Sequence, residues 1–158
     1  MEQKPKSRFV RPDFDILKIS NGDTLTVKRR LTNGELREQL DHAYTWINGE
    51  RKFDALTSGL ALCVAYLIDW SVTDDQGDLV LLRDPLNGER LPWHLFAAKL
   101  DALDPDDFKE IKEAIEKHEA KMDAERAAEK NGQGGGKNAP TISPSPDGAV
   151  GLSSTSAP

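Results

Sequence analysis

The sequence predicts an α+β fold, mainly helical, in which an N-terminal β-hairpin packs on a small helical bundle. Three observations predict it. An Asn-Gly pair stands between two short β-type runs near the start. Helix start signals then recur at residues 32, 92 and 104. Between them lies a nine-residue apolar stretch, Leu60 to Ile68, long enough to centre a core.

The hairpin comes first. Phe14 to Ser20 reads FDILKIS and Asp23 to Arg29 reads DTLTVKR. The second run alternates well, with Leu25 and Val27 on one side and Thr24, Thr26 and Lys28 on the other. The first does not divide cleanly into two faces. Asn21-Gly22 tolerates φ > 0 at both central positions, as a type I′ turn requires.

Thr32-Asn33-Gly34-Glu35 has the form of a capping box, Thr32 the N-cap and Glu35 reaching back. Leu36, Leu40, Ala43 and Ile47 then share one helical face, and Asn48-Gly49 is read as the stop. A second helix is expected over about 53–68, with Phe53, Leu56, Leu60, Val64 and Leu67 in register. Its second half, LALCVAYLI, is apolar all round, the mark of a buried central helix. Trp70–Thr73 and Leu79–Leu82 suggest a second hairpin around an acidic turn. After a loop at 85–91, Pro92 opens a short helix with Trp93, Phe96 and Leu100 inward. Asp104-Pro105-Asp106-Asp107 combines an N-cap acid, proline at the first helical position and acids at the positive end of the dipole. Phe108, Ile111 and Ile115 form that helix's stripe. Beyond His118 the stripe fades to Met122 and alanines, so the last turns should project.

The ends differ in composition. Residues 131–158 hold 6 Gly, 4 Pro and 5 Ser and no aromatic residue, too little apolar surface to offset ordering. The sequence thus divides into a flexible arm (1–12), one folded domain (13–130) and a disordered tail (131–158).

Composition excludes several classes. A spanning helix needs about 18 apolar residues in a row, twice the longest run here. The basic start lacks the apolar stretch of a signal peptide. A lone cysteine, Cys63, forms no internal disulfide and suits a reducing cytoplasm. A net charge of -6 disfavours general nucleic-acid binding. No catalytic or cofactor set emerges. His42, His94 and His118 lack the i, i+4 spacing of a helical zinc pair and are expected at the surface or its boundary. Cys63 in mid-helix reads as buried and inert. Asp74-Asp75-Gln76-Gly77-Asp78 fails as an EF-hand loop, with Leu79 where Gly is needed and Pro85 where Glu is needed. Gly134-Gly135-Gly136-Lys137 lacks the strand and helix of a P-loop. The reading is therefore a protein that is not an enzyme and holds no metal or cofactor.

Binding features do exist. Trp46, Trp70 and Trp93 are large rings of the kind enriched at interfaces, although each taken singly suits a core equally well. The last helix, around Met122, could enter a partner's groove. Trp46, Trp93 and Met122 are the expected exposed contributors.

Three stretches together resemble the tail assembly chaperones of long-tailed, siphovirus-like bacteriophages: TLTVKRRLTNGEL, YLIDWSVTDDQGDLV and LDALDPDDFKEIKEAIEKHEAKMDAE. The resemblance spans roughly 14–137 and carries no catalytic residue. It implies a mostly helical protein of the infected bacterium's cytoplasm, absent from the finished virion. Such a protein binds the long, helix-rich tape measure protein, keeps it soluble and helps recruit the tail tube protein. It also implies a longer form made by translational frameshift. Gly135-Gly136-Lys137 can be encoded by a G/A run on which a ribosome could slip. Two other readings stay open: a head–tail joining or minor tail protein of the particle, and a small nucleic-acid-binding regulator using Lys4, Lys6, Arg8, Arg11 and Lys28-Arg29-Arg30.

Overall fold

A computed structural model describes residues 8–133. The order of elements is β1 (Phe14–Lys18), β2 (Thr24–Lys28), α1 (Asn33–His42), β3 (Tyr44–Ile47), β4 (Glu50–Phe53), α2 (Ala55–Tyr66), β5 (Leu67–Trp70), α3 (Trp93–Asp101) and α4 (Pro105–Gln133). The fold is α+β, with the N-terminal hairpin set against helices.

The first hairpin forms at the expected pair. Asn21 and Gly22 hold φ of 58° and 81°, and the Asp23 amide donates to the Ser20 carbonyl at 3.2 Å. The β1 side chains divide by alternation: Leu17 turns inward, whereas Phe14 and Ile16 turn out into solvent. On β2, Leu25 and Val27 are completely buried. β5 then joins the far side of β2, giving an antiparallel sheet of order β1-β2-β5 with a bulge between Thr26 and Val27.

The capping box forms as expected. Thr32 Oγ1 accepts from the Glu35 amide, and the Glu35 carboxylate accepts from the Thr32 amide at 2.8 Å. The helix it starts, however, ends at His42 and not at Ile47. Residues 44–47 are a strand paired with β4. The reason lies in the residues themselves. Tyr-Thr-Trp-Ile is an aromatic and β-branched run, and Asn48-Gly49, with φ of 53° and 80°, is its hairpin turn and not a helix stop.

The second helix is shorter than expected at both ends. Phe53 belongs to β4. Asp54 is the N-cap, accepting from the Leu56 and Thr57 amides. Leu67 and Ile68 leave the helix to become β5. Phe53 therefore lies outside the core, and Leu56, in the first turn of α2, is 84% exposed. The rest of α2 is the buried centre that its all-round apolar surface predicts. Trp70 closes β5 rather than opening a second hairpin, and its indole N–H donates to the Val80 carbonyl at 2.7 Å. The acidic turn closes a smaller loop, Thr73 bridging Leu79, with Asp74 accepting from the Gln76 and Asp78 amides.

One core joins these parts. Leu25 and Val27 of β2 meet Leu62, Cys63 and Tyr66 of α2, Phe96 and Leu100 of α3, and Ile111 and Ile115 of α4. α4 starts where expected, the Asp104 carboxylate accepting from the Asp106 amide. Its buried stripe does not fade beyond His118 but continues to Met122. α4 also extends to Gln133, past the expected boundary at 130. The expected tail from 134, most of the arm (1–7) and Gly135-Gly136-Lys137 lie outside the described residues.

Candidate functional site

One face of the β3–β4 hairpin is an exposed aromatic surface with defined geometry. Its register pairs Tyr44 with Phe53 and Trp46 with Arg51. Strand alternation puts these four side chains on the same face, with Thr45, Ile47, Glu50 and Lys52 on the other. Trp46 is 74% exposed, Phe53 61% and Tyr44 40%.

Local contacts hold this face in shape. The Tyr44 and Phe53 rings meet edge-on with centroids 5.8 Å apart. The Arg51 guanidinium lies 4.6 Å above the Tyr44 ring and donates to Asp41 Oδ1, near the end of α1, at 2.8 Å. At the base of the hairpin the Asp54 amide donates to the Ala43 carbonyl at 3.2 Å. The Trp46 ring stands beyond these contacts. Trp, Tyr and Arg are the residue types that carry most binding energy at protein interfaces.

The three expected contributors have different fates. Trp46 lies on this exposed face. Trp93 is half-buried at the start of α3, its ring stacked on His42 at 3.9 Å with the planes 9° apart. Met122 is buried, 5% exposed, which corrects the expectation of an exposed residue there. The cause is that α4 lies against the sheet and α2 instead of projecting at this point. Sequence reasoning missed Tyr44, Arg51 and Phe53. The signal that finds them is the second Asn-Gly pair after a β-type run.

Trp93 also lines a narrow crevice of about 20 Å³ with Glu35, Glu38, Gln39, Val64 and Arg90, room for about one water molecule. Arg90 crosses it, donating to the Val64 and Leu67 carbonyls at the end of α2 and lying over the Phe96 ring. Burial lowers the Arg90 pKa, opposed by Glu38 and Glu35.

Among nucleophilic groups, Cys63 is fully buried and desolvation pushes its thiol pKa up to about 12. Burial, then the neighbouring Glu119, raises Tyr66. Both groups stay protonated at neutral pH. His118, expected at the surface or boundary, is buried; its Nε2 lies 3.0 Å from the Lys28 carbonyl. Among the described residues no group of His, Cys, Asp and Glu could hold a metal ion, and no helix is long and apolar enough to cross a membrane. In the basic cluster, Lys28 pairs with Glu35 at 2.6 Å, and Arg29 with Asp15 at 3.4 Å and Glu125 at 3.2 Å. No family model, curated protein or solved structure matches the chain.

Proposed function

We propose that this chain is a non-enzymatic tail assembly chaperone of a long-tailed bacteriophage. It acts in the host cytoplasm, binds the tape measure protein, keeps it soluble and helps recruit the tail tube protein. The observation that carries the binding part is the Trp46 face, an aromatic surface offered to solvent on a small hairpin at the edge of the helices. Covering apolar helices of a long client with such a surface lowers the client's tendency to aggregate. The net charge of -6 favours solubility of the complex. The phage assignment itself rests on the three sequence stretches that resemble those chaperones.

Two members of the basic cluster, Lys28 and Arg29, already have carboxylate partners, which weakens the case for a nucleic-acid regulator. The test is to look for a very long, helix-rich open frame beside this chain's gene and to co-express its product as the tape measure client. Wild type should keep the client in the soluble fraction, and Trp46→Ala with Phe53→Ser should lose most of that effect while folding normally. Equal client solubility with and without the chain would overturn the reading. So would finding the chain by mass spectrometry as a component of purified particles, the result expected of a head–tail joining or minor tail protein.

A further inference from the structure

Among the described residues, the three-stranded sheet ends in an open edge at β1. In its ladder with β2, the Arg29 amide donates to the Asp13 carbonyl and the Ile19 amide to the Asp23 carbonyl, both at 3.0 Å. The register between them is unbroken. The odd-numbered residues of β1 therefore direct their N–H and C=O groups to β2, and Phe14, Ile16 and Lys18 direct theirs outward. Along this edge the strand has no proline and no bulge, two of the devices that block pairing, and a single lysine, Lys18, at its end. Phe14 and Ile16 are 59% and 62% exposed. α4 takes up only the end of the row: Glu110 accepts from the amide and the hydroxyl of Ser20, both at 2.7 Å.

Beside the edge, α4 runs antiparallel to β1 and forms a shallow open groove with it. Its groove-lining charges are sorted by sign. Glu110 and Glu113 lie at the end near Ile19, and Lys117 and Lys121 at the end near Asp15. This polarity selects the occupant. A two-fold axis through Ile16 would pair Ile16 with its own copy and Phe14 with Lys18 of the other chain, each pair exchanging both backbone hydrogen bonds. The same axis reverses the helix, turning the acids of one α4 toward the lysines of the other. Lys18 then comes beside the exposed Phe14 ring, a favourable cation–π pairing.

We propose that β1 is a self-association edge, on which a second copy of this chain docks antiparallel to form a continuous six-stranded sheet. The proposal does not depend on the chaperone reading, because it uses neither the β3–β4 face nor a client.

The experiment is sedimentation equilibrium of the full chain, with amide exchange at low and high concentration. Wild type should dimerise, and the Ile16 amide should exchange more slowly at high concentration. Ile16→Lys, at an exposed side chain, puts two like charges on the axis and should weaken the dimer by about tenfold or more with an unchanged circular dichroism spectrum. Glu113→Lys should weaken it too, and adding Lys117→Glu should restore it. A wild type that stays monomeric would overturn the proposal, as would a dimer unaffected by Ile16→Lys.

Discussion

Single residues show how burial decides chemistry here. A carbonyl only accepts, so across the 3.0 Å contact His118 Nε2–H donates to the Lys28 oxygen. His118 thus completes a backbone group of β2 that β5 does not reach. His118→Ala should destabilise the fold by about 2 kcal/mol, the cost of a buried unpaired carbonyl plus lost packing. His118→Gln, which keeps a donor, should cost less; urea unfolding of the two variants measures the difference. Cys63 makes a second case. Burial raises its thiol from 9.0 to about 12, so the unfolded chain gives up this proton at lower pH than the folded one. The stabilising contribution is complete below about pH 9 and is lost as pH rises toward about 12. Unfolding midpoints should fall across that window, less steeply in Cys63→Ala. Iodoacetamide at neutral pH should label Cys63 only after denaturant is added.

Elements differ in how they are held. The β1-β2-β5 sheet has Leu25, Val27, Leu67 and Trp70 pressed into the core. The β3–β4 hairpin has two strands and little burial on either face, and such a hairpin by itself is marginally stable in water. Amides of β3 and β4 should therefore exchange far faster than those of β2, in hydrogen-exchange mass spectrometry of the free protein. The hairpin depends on its turn: Gly49 sits at φ of 80°, so Gly49→Val should open it and reduce client binding without lowering the main unfolding transition. α1 owes its start to one side chain, and Thr32→Ala should cost about 1 kcal/mol, seen as a lower thermal midpoint.

At the scale of the whole molecule, α2 is the hub. It meets α1, α3 and α4 while its end runs directly into the sheet. Arg90 caps that end from a loop far along the chain. α4 joins the opposite ends of the sequence, reaching Ser20 through Glu110 and Arg29 through Glu125. Ile115→Ala, at a completely buried position of α4, should cost about 2–5 kcal/mol in denaturant unfolding. Trp46→Ala should change stability little and client binding strongly. That separation between the two variants is the expected signature of a binding surface that lies outside the core.

Residues 21–22, 32–35 and 104–107 were legible because a turn's positive φ, a cap's hydrogen bond and a proline at a helix start act within a few residues. The second Asn-Gly pair is ambiguous in the sequence because Leu36, Leu40, Ala43 and Ile47 fit a helical face while residues 44–47 also suit a strand. Spacing could not choose, and pairing with residues 50–53 did. The same limit applies to the candidate site. Trp46, Trp70 and Trp93 look alike in the sequence, yet one is exposed, one buried and one half-buried against His42. The first hairpin turn, the starts of α1 and α4 and the apolar centre of α2 follow from the residues alone, since those depend on side chains meeting their own neighbouring backbone or avoiding water. Long-range packing settles that β5 extends the sheet, that His118 and Met122 are covered, and that among the described residues the Trp46 face and the β1 edge stay open. Burial depends on segments that meet across long stretches of chain, and periodicity tells which residues share a face but not what lies against it.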